Sequence, residues 1–310
     1  MSAAIEETGD DAVLPFQVGE SAVRGRVVRL GDAIDAILSV HDYPGAVSEL
    51  VGEAACLVAM MGAALKFDGK LIFQTQGDGP VSMAVADYVA GGAIRGMAKL
   101  SDGGVPDGAR GIAALIGKGH IAMTIDQGPD MDRYQAVTPV EGADLSAAAV
   151  AYFDQSEQIP TAIRLAVGRI AEPGGVERWR AGGVMAQFMP GEGGARERGE
   201  DVIMGAFDRE MWERAAAFVE TVQADELLDP AISPERLLYR LFHEDGVRVF
   251  EAQRVHHACT CNSGKIAAVL ARYDEAELSD MVEDGAITVT CEFCRKAYRF
   301  SPSGAPIDAA

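Results

Sequence analysis

KLIFQTQGDGPVSMAVADY, residues 70–88, places two strand-like runs on either side of Gly77-Asp78-Gly79-Pro80. Glycine supplies backbone angles closed to other residues and proline fixes its own, so this quartet marks a reversal between strands. A tight reversal leaves no room for a helical crossover and makes the two strands antiparallel. The stretch therefore decides the fold class: α/β in the α+β sense, an N-terminal mixed domain with mainly antiparallel strands.

Neighbouring segments extend this pattern in both directions. AIRGMAKL (93–100), HIAMTID (120–126) and RYQAVTPV (133–140) continue the strand series. Upstream, FQVGESAVRGRVVRLG (16–31) predicts a strand leading into a helix near residues 32–40. YPGAVSELVGEAACLVAMMGAALKF (43–67) predicts a long helix with Pro44 at its first turn, and its nearly uncharged second half implies burial from several sides. ADLSAAAVAYFDQSEQ (143–158) predicts a helix capped by Asp144 or Ser146, and GGVMAQFMPG (182–191) a short apolar strand.

These segments divide the chain into a flexible tail (1–12), an N-terminal α/β domain (13–190), an acidic amphipathic helical linker (191–245) and a small C-terminal module (246–305). GEGGARERGED (191–201) opens the linker, and residues 192–245 carry 14 acidic and 6 basic side chains. Phe207, Met211, Trp212, Ala215, Phe218 and Val222 recur there at helical spacing. LLYRLFHED (237–245) follows Pro234 as another helix, with Ser233 as its N-cap. In the module, Asp274 and Glu277 form a capping box, and ITVTCEFCRKAYRF (287–300) alternates as a hairpin with CEFC at its turn.

Four of the five cysteines fall in the last 52 positions, as C-T-C (Cys259, Cys261) and C-E-F-C (Cys291, Cys294) separated by 29 residues. Two such pairs are what a tetrahedral Zn²⁺ site needs, because each pair forms one edge of the tetrahedron. A module this small buries little apolar surface, so a metal is the expected staple. The residues leave two uses open: a permanent staple, or a reversible switch in which oxidised thiols form strained local rings. Adjacent His256 and His257 are candidates to replace a ligand, whereas Cys56, inside the apolar helix, reads as a small core residue.

The 310-residue chain is 48% hydrophobic and 24% charged, a globular composition. Its net charge of -20 argues against nucleic acid as a partner, since phosphate binding depends on Lys and Arg. No basic segment followed by an apolar one opens the chain, and the apolar run 54–65 is too short to cross a bilayer. The expectation is a cytoplasmic protein with no membrane partner. Phosphate-loop, dinucleotide-binding, zinc-protease and serine-hydrolase motifs are missing, so no catalytic residue is assigned and a non-enzyme is expected. A thiol-disulfide oxidoreductase or a nucleic-acid-binding zinc ribbon are the competing classes. CEFC in a hairpin lacks helix-end activation of its thiols, and the charge disfavours the ribbon.

The paired cysteines, together with VRGRVVRL, HDYP, LKFDGKLIFQTQGDGPVSMAVADY, YFDQSEQIPT, GGVMAQFMP and LLYRLFHED in this order, resemble the redox-regulated holdase chaperones of the thirty-three-kilodalton heat-shock protein family. The resemblance implies an ATP-independent chaperone, inactive while reduced and zinc-bound, that holds unfolding client proteins after oxidation. It implies Cys259, Cys261, Cys291 and Cys294 as zinc ligands, disulfides Cys259–Cys261 and Cys291–Cys294 as zinc leaves, and a possible homodimer when oxidised. Asn262-Ser263-Gly264-Lys265 departs from the Ser-x-Glu-Arg-like stretch that the family commonly carries after its first pair.

Overall fold

The computed structural model describes residues 7–65, 68–128, 131–171, 174–189 and 206–307. The chain divides into two compact units, Met1–His257 and Ala258–Ala310. In the first unit, β1 (Ala12–Val18), β2 (Val23–Leu30), α1 (Asp32–Leu38) and α2 (Gly45–Gly62) come first. There follow β3 (Lys70–Gly77), β4 (Val81–Val89), β5 (Ala93–Leu100), α3 (Gly111–Ile116), β6 (Gly119–Asp126) and β7 (Tyr134–Pro139). Next come α4 (Leu145–Tyr152), β8 (Thr161–Ala171), β9 (Glu177–Phe188), α5 (Ala206–Thr221), α6 (Ala224–Leu228) and α7 (Pro234–Phe242). Three short strands, β10 (Val247–Val249), β11 (Gln253–Arg254) and β12 (His256–His257), close the unit.

Among the described residues these strands form two sheets. The first runs β10-β1-β2-β9-β8, with β11 also paired to β1; the second runs β12-β5-β4-β3-β6-β7. The hairpin read at residues 70–88 is β3–β4, in register Leu71↔Tyr88, Phe73↔Ala86 and Thr75↔Ala84. All large pairings are antiparallel; β12 alone among the described strands runs parallel to its neighbour, β5.

Helix α2 is the centre of the main core. Val47, Leu50, Val51, Ala54, Leu57 and Met60 are buried together with Val28 and Met185 of the first sheet and Phe73, Ala84 and Ile94 of the second. This is the burial from several sides that its composition implies. Helix α2 has the length and the mean hydropathy, 1.4, of a bilayer-crossing helix, yet 72% of that stretch is buried inside the protein. Gly62 makes the close fit possible: a Cβ there would lie 2.2 Å from the Tyr88 ring on β4.

The opposite face of the first sheet carries a second core. Leu14, Phe16, Val23, Val27, Ala162, Ala166 and Val184 pack there against Met211, Ala215, Val219 and Val222 of the α5 region and Leu237, Leu238, Leu241 and Phe242 of α7. The amphipathic stripe read in the linker segment thus covers a sheet face. The Phe207 side chain and the glycine-rich stretch 191–201 lie outside the described residues.

The structure differs from the sequence reading at several boundaries. Residues 16–31 are not one strand but the β1–β2 hairpin, which reverses at Gly19, where φ is +51°. The tail expected to reach residue 12 is engaged from Thr8 onward. Its amide donates to Glu235 (2.9 Å), and the Asp11 carboxylate accepts from the Gly31 and Ala33 amides at the start of α1. The module expected from residue 246 begins as a compact unit at Ala258, because β10 and β11 pair with β1 and β12 with β5. Strand β8 carries no clear strand signal in the sequence because Arg164, Gly168 and Arg169 interrupt its apolar pattern.

The second unit contains α8 (Ser263–Leu270), α9 (Glu275–Asp280) and the antiparallel pair β13 (Ile287–Thr290) and β14 (Ala297–Phe300). Its core is small: Leu270, Leu278, Ile287, Tyr298 and Phe300. The capping box read at Asp274 and Glu277 is present, with Asp274 accepting from the Ala276 and Glu277 amides.

Candidate metal centre

Two local structures deliver the cysteines. Cys259 and Cys261 sit in the segment just before α8, and two contacts fix it. Asn262 caps α8 by accepting from the Lys265 amide (2.8 Å), and the Lys265 ammonium donates to the Thr260 carbonyl between the two cysteines (2.7 Å). The Asn262–Lys265 stretch therefore has a defined local role. Cys291 and Cys294 occupy the β13–β14 turn. The Cys291 amide donates to the Lys296 carbonyl and the Arg295 amide to the Cys291 carbonyl, both at 2.9 Å, with Arg295 at φ +57°.

The four sulfurs lie within 4.8 Å of one another. Cys259 Sγ is 3.7 Å from Cys291 Sγ, and Cys261 Sγ is 3.5 Å from Cys294 Sγ. Four sulfurs about 2.3 Å from one ion at tetrahedral angles stand about 3.8 Å apart, whereas a disulfide requires about 2.05 Å. The spacing fits a tetrahedral thiolate cage. All four side chains are half-buried, so the centre is reachable from solvent.

Tyr298, on β14, is a further member that the sequence reading missed. Its hydroxyl lies 3.2 Å from Cys261 Sγ and 3.3 Å from the Cys261 carbonyl oxygen, within hydrogen-bond reach of both. The available signal was its place one strand position inside the alternating AYRF run. Burial pushes the Cys261 thiol up, but hydrogen bonds from Tyr298 and the other thiols outweigh it and hold the thiol at about 7. Burial likewise pushes Cys294 up, to about 12, against a lowering backbone hydrogen bond from Lys296.

Among the described residues, the cluster of possible metal ligands consists of the four cysteines. His256 and His257 form β12 in the other unit and are not part of it. Cys56 is fully buried in α2, and that burial, with Glu53 nearby, raises its thiol far above the usual range. It is an inert core side chain.

Two mainly antiparallel sheets gripping one apolar helix, followed by a small unit built on four converging thiols, define a two-unit α+β protein with a C-terminal thiol centre. The chain belongs to the Hsp33 family, whose profile, described as Hsp33 protein, matches residues 11–301. It is 47% identical over 305 residues to a 33 kDa chaperonin of Caulobacter vibrioides, covering 96% of each chain. A 33 kDa chaperonin of Nitrosococcus oceani is 34% identical over 286 residues, covering 92% of this chain and 89% of that one. The crystal structure of the 33 kDa chaperonin from Thermotoga maritima superposes with a TM-score of 0.74 at 22% identity, covering 95% of this chain and 96% of that one, and it establishes the shared fold.

Proposed function

We propose that this chain is a chaperone that holds unfolding client proteins without ATP and is governed by oxidation of its four C-terminal cysteines. The carrying observation is the convergence of Cys259, Cys261, Cys291 and Cys294 within 4.8 Å in a chain of this family. Zn²⁺ bound there would cross-link both ends of the second unit and supply folding energy that its small core lacks.

Each neighbouring pair, Cys259 with Cys261 and Cys291 with Cys294, gives up two electrons. Two thiolates, one peroxide and two protons become one disulfide and two waters, so the four thiolates consume two peroxides. Forming these pairs requires the cage to rearrange, because the 3.5 and 3.7 Å contacts run between the pairs. Thiolates converted to disulfides no longer hold a cation, and the unit built around them melts.

In this reading the unit from Ala258 acts as the sensor, and helices α5–α7 act as the cover of the first sheet. Melting propagates back along the chain through β12, β11 and β10 to α7, and α5–α7 leave the first sheet. Leu14, Phe16, Val27 and Val184 are then uncovered as a client-binding face. The net charge of -20 keeps that state dispersed. We place the protein in the cytoplasm, acting on proteins and not on nucleic acid or membrane, as a homodimer when oxidised and without catalytic turnover.

The test treats reduced, zinc-loaded protein with peroxide at raised temperature while following zinc release, far-UV circular dichroism and aggregation of a heat-unfolded client. All three are expected to change together. Zinc release with loss of helix signal but undiminished client aggregation would defeat the chaperone reading.

A further inference from the structure

The helices that cover the first sheet are held by more than apolar contact. From β2, Arg29 donates through Nη2 to the Asp229 carbonyl at 2.5 Å and through Nη1 to the Ile232 carbonyl. From β9, Arg180 donates through Nε to the Leu228 carbonyl at 3.0 Å. From β8, Arg164 Nε reaches the Val222 carbonyl at 3.4 Å. Asp10 ties two of these guanidiniums together, 2.6 Å from Arg180 and 3.8 Å from Arg29.

Three of the four acceptors share a physical character. Helix α5 ends at Thr221 and α6 at Leu228, so the Val222, Leu228 and Asp229 carbonyls lie where a helix runs out of internal donors and its dipole gathers negative charge, while Ile232 lies in the loop into α7. A guanidinium placed there supplies both hydrogen bonds and positive charge. Arg29 is only 2% exposed, so water is a poor substitute for its acceptors. The sheet is also shaped for the contact: a Cβ on Gly182 would lie 2.5 Å from the Leu227 carbonyl, so only glycine lets α6 approach this closely. Apolar burial is non-directional and would tolerate sliding, whereas donors from three strands aimed at successive helix ends fix one register.

We infer that Arg29, Arg164 and Arg180 are positioning residues that latch α5, α6 and the loop into α7 onto the first sheet, and so set how readily that face opens. The latch stands on the contacts alone; its part in activation rests on the chaperone reading.

The experiment is amide hydrogen exchange on the reduced, zinc-loaded full chain. The R164Q/R180Q double variant removes the less buried donors, and Arg29→Lys separately keeps the charge while losing the fork. Exchange over residues 206–242 is expected to accelerate at least about tenfold in the double variant, with α2 and β3–β6 unchanged and Arg29→Lys showing a smaller effect. Wild-type exchange over 206–242 would overturn the latch, and so would equal acceleration of α2 and β3–β6, which marks general destabilisation. A parallel client-aggregation assay separates the two ideas. Selective acceleration with no easing of the heat or peroxide needed keeps the latch as a contact but overturns its part in activation, whereas a wild-type chain that never suppresses client aggregation defeats the chaperone reading and leaves the latch standing.

Discussion

Replacing Tyr298 by Phe removes one hydroxyl from the thiol centre and little else. The ring is 9% exposed and packed with Leu270, Leu278, Ile287 and Phe300, so its hydrophobic contribution survives the change. What disappears is the contact to Cys261 Sγ at 3.2 Å and to its carbonyl at 3.3 Å. A hydrogen bond to a charged group contributes about 1.5–3 kcal/mol net, and about 1.4 kcal/mol is a factor of ten in affinity. Cys261 is half-buried, which favours the lower end. Zinc affinity is therefore expected to fall roughly tenfold, within the range typical for partners of metal ligands. The assay is competition with a chromophoric chelator under reducing, anaerobic conditions, with circular dichroism at excess zinc as the check on folding. Affinities within a factor of two would refute the role given to the hydroxyl. A folding defect at saturating zinc would show that the hydroxyl serves the core and not the sulfur.

Three further changes probe the scaffold. Burial, with Asp144 and Glu49 nearby, pushes the Glu53 carboxyl up to about 8 from 4.5, so the fold binds this proton more tightly than the unfolded chain does and loses stability as pH rises between those values. Glu53→Gln is expected to flatten that loss and to stabilise the protein at pH 8 by on the order of 1–3 kcal/mol, allowing for partial exposure; thermal melts at pH 5 and pH 8 decide it, and a less stable variant at pH 8 contradicts it. Gly62→Ala drives a methyl into the Tyr88 ring and is expected to cost about 1–3 kcal/mol in denaturant unfolding, with an unchanged midpoint as the contrary result. Asp144→Ala deletes the cap that accepts from the Ala147 amide at 2.8 Å and is expected to cost about 1 kcal/mol in the same measurement, whereas Ser146→Ala should be neutral.

Local chemistry made much of this molecule legible from its residues. The turn at Gly77–Pro80, the caps at Asp144, Ser233 and Asp274, and the CEFC knuckle all depend on neighbours within a few positions, and the structure realises each of them. Long-range pairing was not legible. Strand β8 looks irregular alone because Arg164 points at a helix end 58 residues away, and β10–β12 are too short to carry a periodic signal. The same holds within the centre. Spacing grouped the four cysteines, but Tyr298 joins them only because β14 folds back over the C-x-C segment, 37 residues away along the chain. Arg29 reads as an ordinary strand residue of VRGRVVRL, and its capture of the Asp229 and Ile232 carbonyls follows from tertiary packing that no window of sequence contains.

The most direct measurement of the central claim is amide exchange of the whole chain in two states, reduced with zinc and fully oxidised by peroxide. The account requires residues 258–307 and 206–242 to lose protection on oxidation while α2 and the β3–β6 strands keep theirs. Oxidised, zinc-free protein that remains protected through both segments would contradict it.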